Sequence, residues 1–311
     1  MAVLKLVLER IPVFAREYRI LETNLIQNIA SADYFKSDIW EQCDVFIHQD
    51  IQLNNKYGVE YSSDYVIRSL KKACRIISVP NLYGLPECFF PQHIKNAEPL
   101  HSVKSHQSIF LRDAIIENVL RSDGLSVKRI ERAYKNANLY ESGSLEEKLN
   151  LFFEKVGKRE ENWDVKILRY IKDNYKEKKL FYDVGHPSND VIYEIALGIC
   201  NILDLSVDSD SVHSISLQDT WCPQMDGLEM PISNSVKYTL GIKYVDDCIR
   251  ENGIKLLNAK MGLREYILQY CSLIWLEKKY SFFTRAKSFG IYGVIHIRKV
   301  ISYFVKGKKL E

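Results

Sequence analysis

The 311-residue sequence predicts an α/β fold, a mostly parallel sheet flanked by helices. Two observations in its first half carry that expectation, and a third marks where the pattern is interrupted. Short β-branched and aromatic runs alternate with stretches of helical periodicity, which is the pattern of βαβ units. The loops after those runs are polar or conformationally restricted, as they are along the carboxyl edge of a parallel sheet. From about 104 to 178 the short runs give way to charged helical segments, which reads as a helical insertion.

Each element has its own reason. Ala2 to Ile11 has helical spacing and is ended by Pro12, after which Tyr18 to Glu22 is extended. Asp44 to His48 is a strand, with Val45 and Ile47 alternating against Phe46. A helix that Ser62 or Ser63 can cap runs to about Lys72, and Arg75 to Val79 is the next strand, stopped by Pro80. Residues 81–101, broken by Gly84, Pro86, Pro91 and Pro99, form a long loop of the kind that often carries function. Helical periodicity then covers Ile109 to Leu120, Leu145 to Val156 and Val165 to Tyr175. The sheet resumes at Lys179 to Tyr182, followed by a helix through Ile192, Ile195, Ala196, Ile199 and Leu203. Val236 to Ile254 and Leu263 to Phe283 are further helices. The organisation expected is an α/β domain over 1–255 and a basic, aromatic helical tail over 256–311.

With 46% hydrophobic and 27% charged residues, the chain is neither disordered nor fibrous. Its 43 basic and 40 acidic side chains leave only +3, which argues against a dedicated nucleic-acid binder. The charge is uneven, because nine basic residues face two acidic ones between Glu277 and Glu311, a local charge of +7. Interleaved with aromatics such as Phe282, Tyr292 and Phe304, that end could rest on anionic lipid or an acidic partner. A solvated helix face has the same composition.

Seven cysteines without a C-x-x-C pair signal neither a disulfide framework nor a zinc site, and no other metal is indicated. A reducing cytoplasm is the expected compartment. The apolar start is interrupted by Lys5 and followed by Glu9 and Arg10 without a small-residue cleavage site, so it does not read as a signal peptide. No stretch reaches the roughly 20 apolar residues of a spanning helix.

Three loops at the ends of the expected strands should converge: His48-Gln49-Asp50, Pro80-Asn81-Leu82-Tyr83 and Asp183-Val184-Gly185-His186-Pro187-Ser188. In the third, Asp183 stands three residues before His186 on a glycine-containing turn and could orient its imidazole as a general base. Pro187 suits a first helical turn, and Ser188 or Asn189 could cap it, leaving amides for an anion such as a phosphate. A turn followed by an ordinary helix cap explains the same residues. Gln49 and Asn81 could donate amide hydrogen bonds to a polarised oxygen, or satisfy loop backbone. Tyr83 belongs to the same loop cluster. Cys88 could be a thiolate within reach of His186, though burial as a small hydrophobe is the commoner fate of a free cysteine.

In order and spacing, Asp44-Val45-Phe46-Ile47-His48-Gln49, Ile76-Ile77-Ser78-Val79-Pro80-Asn81, Phe90-Pro91 and Gly185-His186-Pro187-Ser188 resemble the WcbI-type polysaccharide biosynthesis acetyltransferases over about residues 10–245. The Asp183-x-x-His186-Pro187 block is also similar to the acid and base block of SGNH hydrolases. The resemblance implies an SGNH-like fold and a CoA-dependent sugar O-acetyltransferase of capsule or exopolysaccharide assembly. His186 and Asp183 would be catalytic, with Gln49, Asn81, Tyr83, Ser188 and Asn189 lining the substrate and cofactor site. Acetyl-CoA would be the acyl donor, a sugar precursor or polysaccharide the acceptor, and the site cytoplasmic, with peripheral membrane contact through 277–311. The family's amino-terminal Gly-Asn-Cys-Gln turn, which supplies a thiol, is not found in this sequence. A carbohydrate esterase and a non-catalytic assembly protein are the alternative functions.

Overall fold

The computed structural model describes residues 2–24, 28–29, 31, 34–35, 38–97, 100–101, 108–109, 112–123, 126–215, 230–244, 249–250, 260–264, 266–268, 270–271 and 274. The basic segment 277–311 therefore lies outside the described residues, as do Cys222 and Cys248.

Helix α1 (Ala2–Arg10) buries Leu4, Val7, Leu8 and then Ile11, the spacing of one helical face. Pro12 cannot continue its hydrogen-bond ladder and instead opens α2 (Pro12–Glu17), so the segment is two short helices where one was expected. Strand β1 (Val45–Gln49) follows. Helix α3 (Ser63–Ser69) is capped by Ser62, whose hydroxyl accepts the Tyr65 N–H. Strand β2 (Arg75–Val79) pairs with β1 in parallel, Val45 opposite Arg75 and Gln49 opposite Val79. The next described strands are two-residue pieces in antiparallel pairs: β3 (His93–Ile94) with β6 (Arg112–Asp113), and β4 (Leu100–His101) with β5 (Ser108–Ile109).

Helices α4 (Ala114–Asp123), α5 (Val127–Lys135), α6 (Ser142–Glu160) and α7 (Leu168–Asn174) fill the middle of the chain. Of these, α5 was not anticipated. The first starts at Ala114 rather than Ile109 because the Asp113 carboxylate accepts the N–H groups of Ile115 and Ile116 and so fixes the helix start. After α8 (Asn189–Ile202) come α9 (Ser209–His213) and α10 (Asn234–Leu240). The last ends at Gly241, whose φ of 66° places it in the left-handed region, where the expected helix continued to Ile254. Strands β7 (Ile249–Arg250) and β8 (Lys260–Met261) pair beyond it, and described residues between Leu263 and Ile274 are helical.

The α/β class stands, but the molecule is mostly helical and its described parallel sheet is the β1–β2 pair. The expected third strand, Lys179 to Tyr182, is one arm of a tight hairpin. Ser188 N–H donates to Leu180 O, and Tyr182 N–H donates to His186 O. The apolar run resembles a sheet strand in sequence, but the Asp183 carboxylate binds the next backbone amides and turns the chain back on itself.

The main core joins α1, α6, α8 and α10 around the sheet. Its aromatic centre is Phe89, Phe152 and Phe181, with Phe89 stacked on Phe181 at 5.7 Å and Phe152 edge-on at 5.8 Å. These contacts anchor the long loop after β2. A second core collects Ile115, Ile116, Ile130, Tyr134, Tyr266, Ile267, Tyr270 and Cys271. At its centre Asp113, fully buried, accepts hydrogen bonds from Tyr134 and Tyr266, while Tyr270 Oη accepts from its backbone N–H at 2.8 Å and donates to Glu117 at 2.9 Å.

Candidate functional site

The carboxyl ends of the paired strands are tied directly to each other, because Gln49 Nε2 donates to Pro80 O at 2.9 Å. The chain then turns at Asn81, whose Oδ1 accepts the Tyr83 N–H at 3.2 Å while Arg159 donates to its carbonyl at 3.0 Å. Gly84 N–H donates to Val184 O at 2.8 Å, which joins this loop to the tip of the 180–188 hairpin. The three polar loops named from the sequence are thus brought together.

At the hairpin tip, Asp183 Oδ1 accepts the N–H groups of Gly185 at 2.6 Å and His186 at 2.9 Å. The same carboxylate contacts His186 Nδ1 at 2.8 and 3.0 Å. An ionised carboxylate can only accept, so Nδ1 carries a proton and Nε2 of a neutral ring is left as an acceptor. Asp183 is nearly enclosed, with 9% of its side chain exposed, whereas His186 shows 40%. Burial works against protonation of His186, but the hydrogen bond and charge of Asp183 outweigh it and hold the imidazole pKa above its ordinary value.

The ring of Tyr83 lies over Gly185. A β-carbon at residue 185 would sit 2.9 Å from Tyr83 Cε2, so glycine permits this approach. Ser188, at the N-cap position of α8, is buried, and its hydroxyl has no hydrogen-bond partner among the described residues. The expected capping by its side chain is therefore not made. Asn189 opens α8, and its N–H donates to Tyr182 Oη at 3.4 Å.

A cavity of about 1210 Å³ runs beside β1, all five residues of which line it. Gln49, Asn81 and Tyr83 also belong to its wall, but Asp183, His186, Ser188 and Asn189 do not. Tyr83 is the shared member, facing the cavity and touching the hairpin. Lys5, Arg19 and Lys56 bring cationic groups to the wall, and Trp40 and Phe46 bring aromatic ones.

The wall holds a pair that sequence reading did not single out. His48 Nδ1 lies 3.2 Å from Ser63 Oγ, and the imidazole stacks on Phe46 at 5.1 Å with 6° between planes. Burial pulls the His48 pKa down, against the opposing pull of the Gln49 backbone, Asp50 and Asp164. Ser63 was legible only as a helix cap, since its partner lies 15 residues away across the β1–α3 connection.

Cys88 is buried among Phe89 and its neighbours, and burial pushes its thiol up to about 12. That removes it as a nucleophile and leaves it the packing role. Among the described residues no group of His, Cys, Asp and Glu is arranged to hold a metal ion, and no helix is long and apolar enough to cross a membrane.

Residues 2–208 match the family profile described as polysaccharide biosynthesis enzyme WcbI. No curated protein matches the chain in sequence. The chain shares its fold with a solved structure described as WcbI, a novel polysaccharide biosynthesis enzyme, in a native form without a disulfide bond between CoA and a cysteine of that protein. The two are 19% identical with a TM-score of 0.64, over 89% of this chain and 86% of the other.

Proposed function

The chain belongs to the WcbI family of polysaccharide biosynthesis enzymes, and on that footing we propose that it is a CoA-dependent sugar O-acetyltransferase of capsular or exopolysaccharide assembly. The observation that carries this reading is the partly exposed His186 imidazole, held at Nδ1 by an almost enclosed carboxylate.

Neutral His186 takes the proton of an acceptor hydroxyl at Nε2 as that oxygen attacks the thioester carbonyl of acetyl-CoA. Asp183 stabilises the resulting imidazolium, which returns the proton to the departing thiolate. In this reading the acyl group passes directly from the thioester to the acceptor hydroxyl. Gln49 and Asn81 side-chain amides, at the junction of the loops, are the donors assigned to the carbonyl oxygen.

The cavity supports CoA as the donor. Lys5, Arg19 and Lys56 suit its phosphates, and Trp40 and Phe46 suit its adenine or pantetheine arm. Tyr83 connects that cavity to the hairpin bearing the base. Ser188 and Asn189 are assigned to the acceptor side, at the start of α8. The enzyme would work in the cytoplasm, peripherally at the inner face of the membrane through 277–311.

Calorimetry with CoA tests the donor assignment, and acetyl transfer from acetyl-CoA to sugar acceptors tests the reaction. Saturable heat with transfer is the expected result. Absence of heat and of thermal stabilisation at millimolar CoA rejects the acetyltransferase; ester hydrolysis without CoA binding would instead identify a carbohydrate esterase.

A further inference from the structure

Cys43 stands two residues before β1 and Cys74 one residue before β2, at the entrances of two neighbouring parallel strands. Their sulfurs are 3.8 Å apart, with the Cys74 thiol directed at Cys43. Both are partly exposed, and Cys43 also lines the large cavity. The other described cysteines, Cys88, Cys200 and Cys271, are buried. A disulfide requires sulfurs about 2.05 Å apart, so the two, already in van der Waals contact, have only a short further approach to make.

We propose that Cys43 and Cys74 are a thiol–disulfide exchange site for low-molecular-weight disulfides that enter the cavity. The Cys43 thiolate attacks one sulfur of a disulfide RS–SR, forming Cys43–S–S–R and releasing RS⁻. The Cys74 thiolate then attacks the Cys43 sulfur and displaces the second RS⁻. The released thiolates take up the protons given by the two cysteines. The net change oxidises the protein pair by two electrons and reduces RS–SR to two thiols, so the small disulfide is the only oxidant needed.

The order follows from the surroundings. Burial, the neighbouring Cys43 and its hydrogen bond push the Cys74 thiol up to about 12, so Cys74 keeps its proton and donates toward Cys43. Cys43, facing the cavity, is the sulfur an incoming disulfide meets first. The Lys71 ammonium, held by Asp44 at 2.5 Å, offers its charge to thiolate at either position. Cys74 reacts second, when proximity replaces concentration and offsets its weak acidity. This site does not depend on the acyl-transfer reading, since any small disulfide admitted by the cavity serves.

The test is to treat the full chain with oxidised glutathione or with CoA disulfide, block remaining thiols with iodoacetamide, and map the peptides by mass spectrometry. A peptide cross-linked through Cys43 and Cys74 is expected, reversed by a reductant. Cys74→Ser should stop at a mixed disulfide on Cys43, whereas Cys43→Ser should leave Cys74 unmodified. Reaction with CoA disulfide but not glutathione would identify the cavity as the entry route for a pantetheine-bearing thiol, and equal reaction with both would show a general thiol-redox site. Alkylation of both cysteines after full exposure to either disulfide, or modification of Cys74 in Cys43→Ser at the native rate, would overturn the proposal.

Discussion

Asp183 grips His186 twice: its carboxylate meets the imidazole Nδ1 at 2.8 Å and the backbone N–H of the same residue at 2.9 Å. The orienting group and the base are thus fixed as one unit within a four-residue turn, with little freedom left to the ring.

Replacement His186→Ala should lower acetyl transfer by roughly 10²-fold or more while leaving the far-UV circular dichroism unchanged. Asp183→Asn should lower it less. A base must be neutral to act, so turnover in the native protein should rise with pH through the raised pKa of His186. In Asp183→Asn, which lacks the charge that raises it, the rise should move to lower pH. Initial rates across pH 5 to 9, an assay window on the order of the histidine range, check both points. An identical profile in the two proteins would show that Asp183 does not tune the base.

Gly185→Ala places a β-carbon against the Tyr83 ring, which is 70% exposed and free to swing outward. The fold should tolerate it, with a stability change of about 1 kcal/mol or less. The cost should fall on CoA, whose Kd is expected to rise as the wall shared by cavity and hairpin is displaced. Calorimetry beside thermal denaturation separates the two effects.

Burial raises Asp113 to about 6, despite hydrogen bonds from Tyr134 and the helix amides that favour its ionised form. A carboxyl group whose folded pKa exceeds its unfolded one stabilises the fold below the unfolded value, and that contribution fades as pH rises through about 6. From pH 4 to 8 the loss is roughly 2 kcal/mol. Denaturant titrations of the native protein and Asp113→Asn at both ends of the range should show this slope in the first and its absence in the second. The amide can still accept the helix N–H groups, so the start of α4 survives the replacement.

The segment 277–311 should bring the protein to anionic vesicles, each engaged basic residue contributing about 1 kcal/mol at low salt. Co-sedimentation of the full chain and of one ending at residue 276, on anionic and on neutral vesicles, checks it. Equal pelleting of both proteins on anionic vesicles would reduce the basic end to a solubilising face or a protein docking site.

What the sequence made legible was local. Strand β2 occupies Arg75 to Val79 as expected, because Pro80 terminates an apolar run that nothing else competes for. Leu180 to Tyr182 has similar composition yet became a hairpin arm, since the Asp183 side chain rewards a reversal that a hydrophobic pattern cannot register. Helix α10 stops at Gly241, which takes the left-handed cap conformation and would cost about 1 kcal/mol in a helix interior, a stop signal that the apolar periodicity beyond it masked. The meeting of the loops after β1 and β2 was readable from the rule that parallel strand ends share an edge, but the third loop joins them as a hairpin tip, which that rule does not cover. The contact of Tyr83 with Gly185 and the pairing of His48 with Ser63 were not, because each depends on how distant segments pack.

The clasp around Asp113 also sets a timetable for synthesis. Tyr266 and Tyr270 stand 153 residues downstream of the groups they bind. At about 5–20 residues per second, on the order of ten seconds separates translation of the acid from translation of its last partners. The main core, whose members end at Leu240, can settle first. Throughout that interval the nascent chain carries an open apolar face around Ile115, Ile116 and Ile130, with a carboxylate in its middle that still lacks the Tyr266 hydroxyl. Truncations that remove Tyr266 and Tyr270 should consequently engage chaperones and aggregate, even when the candidate active site is complete.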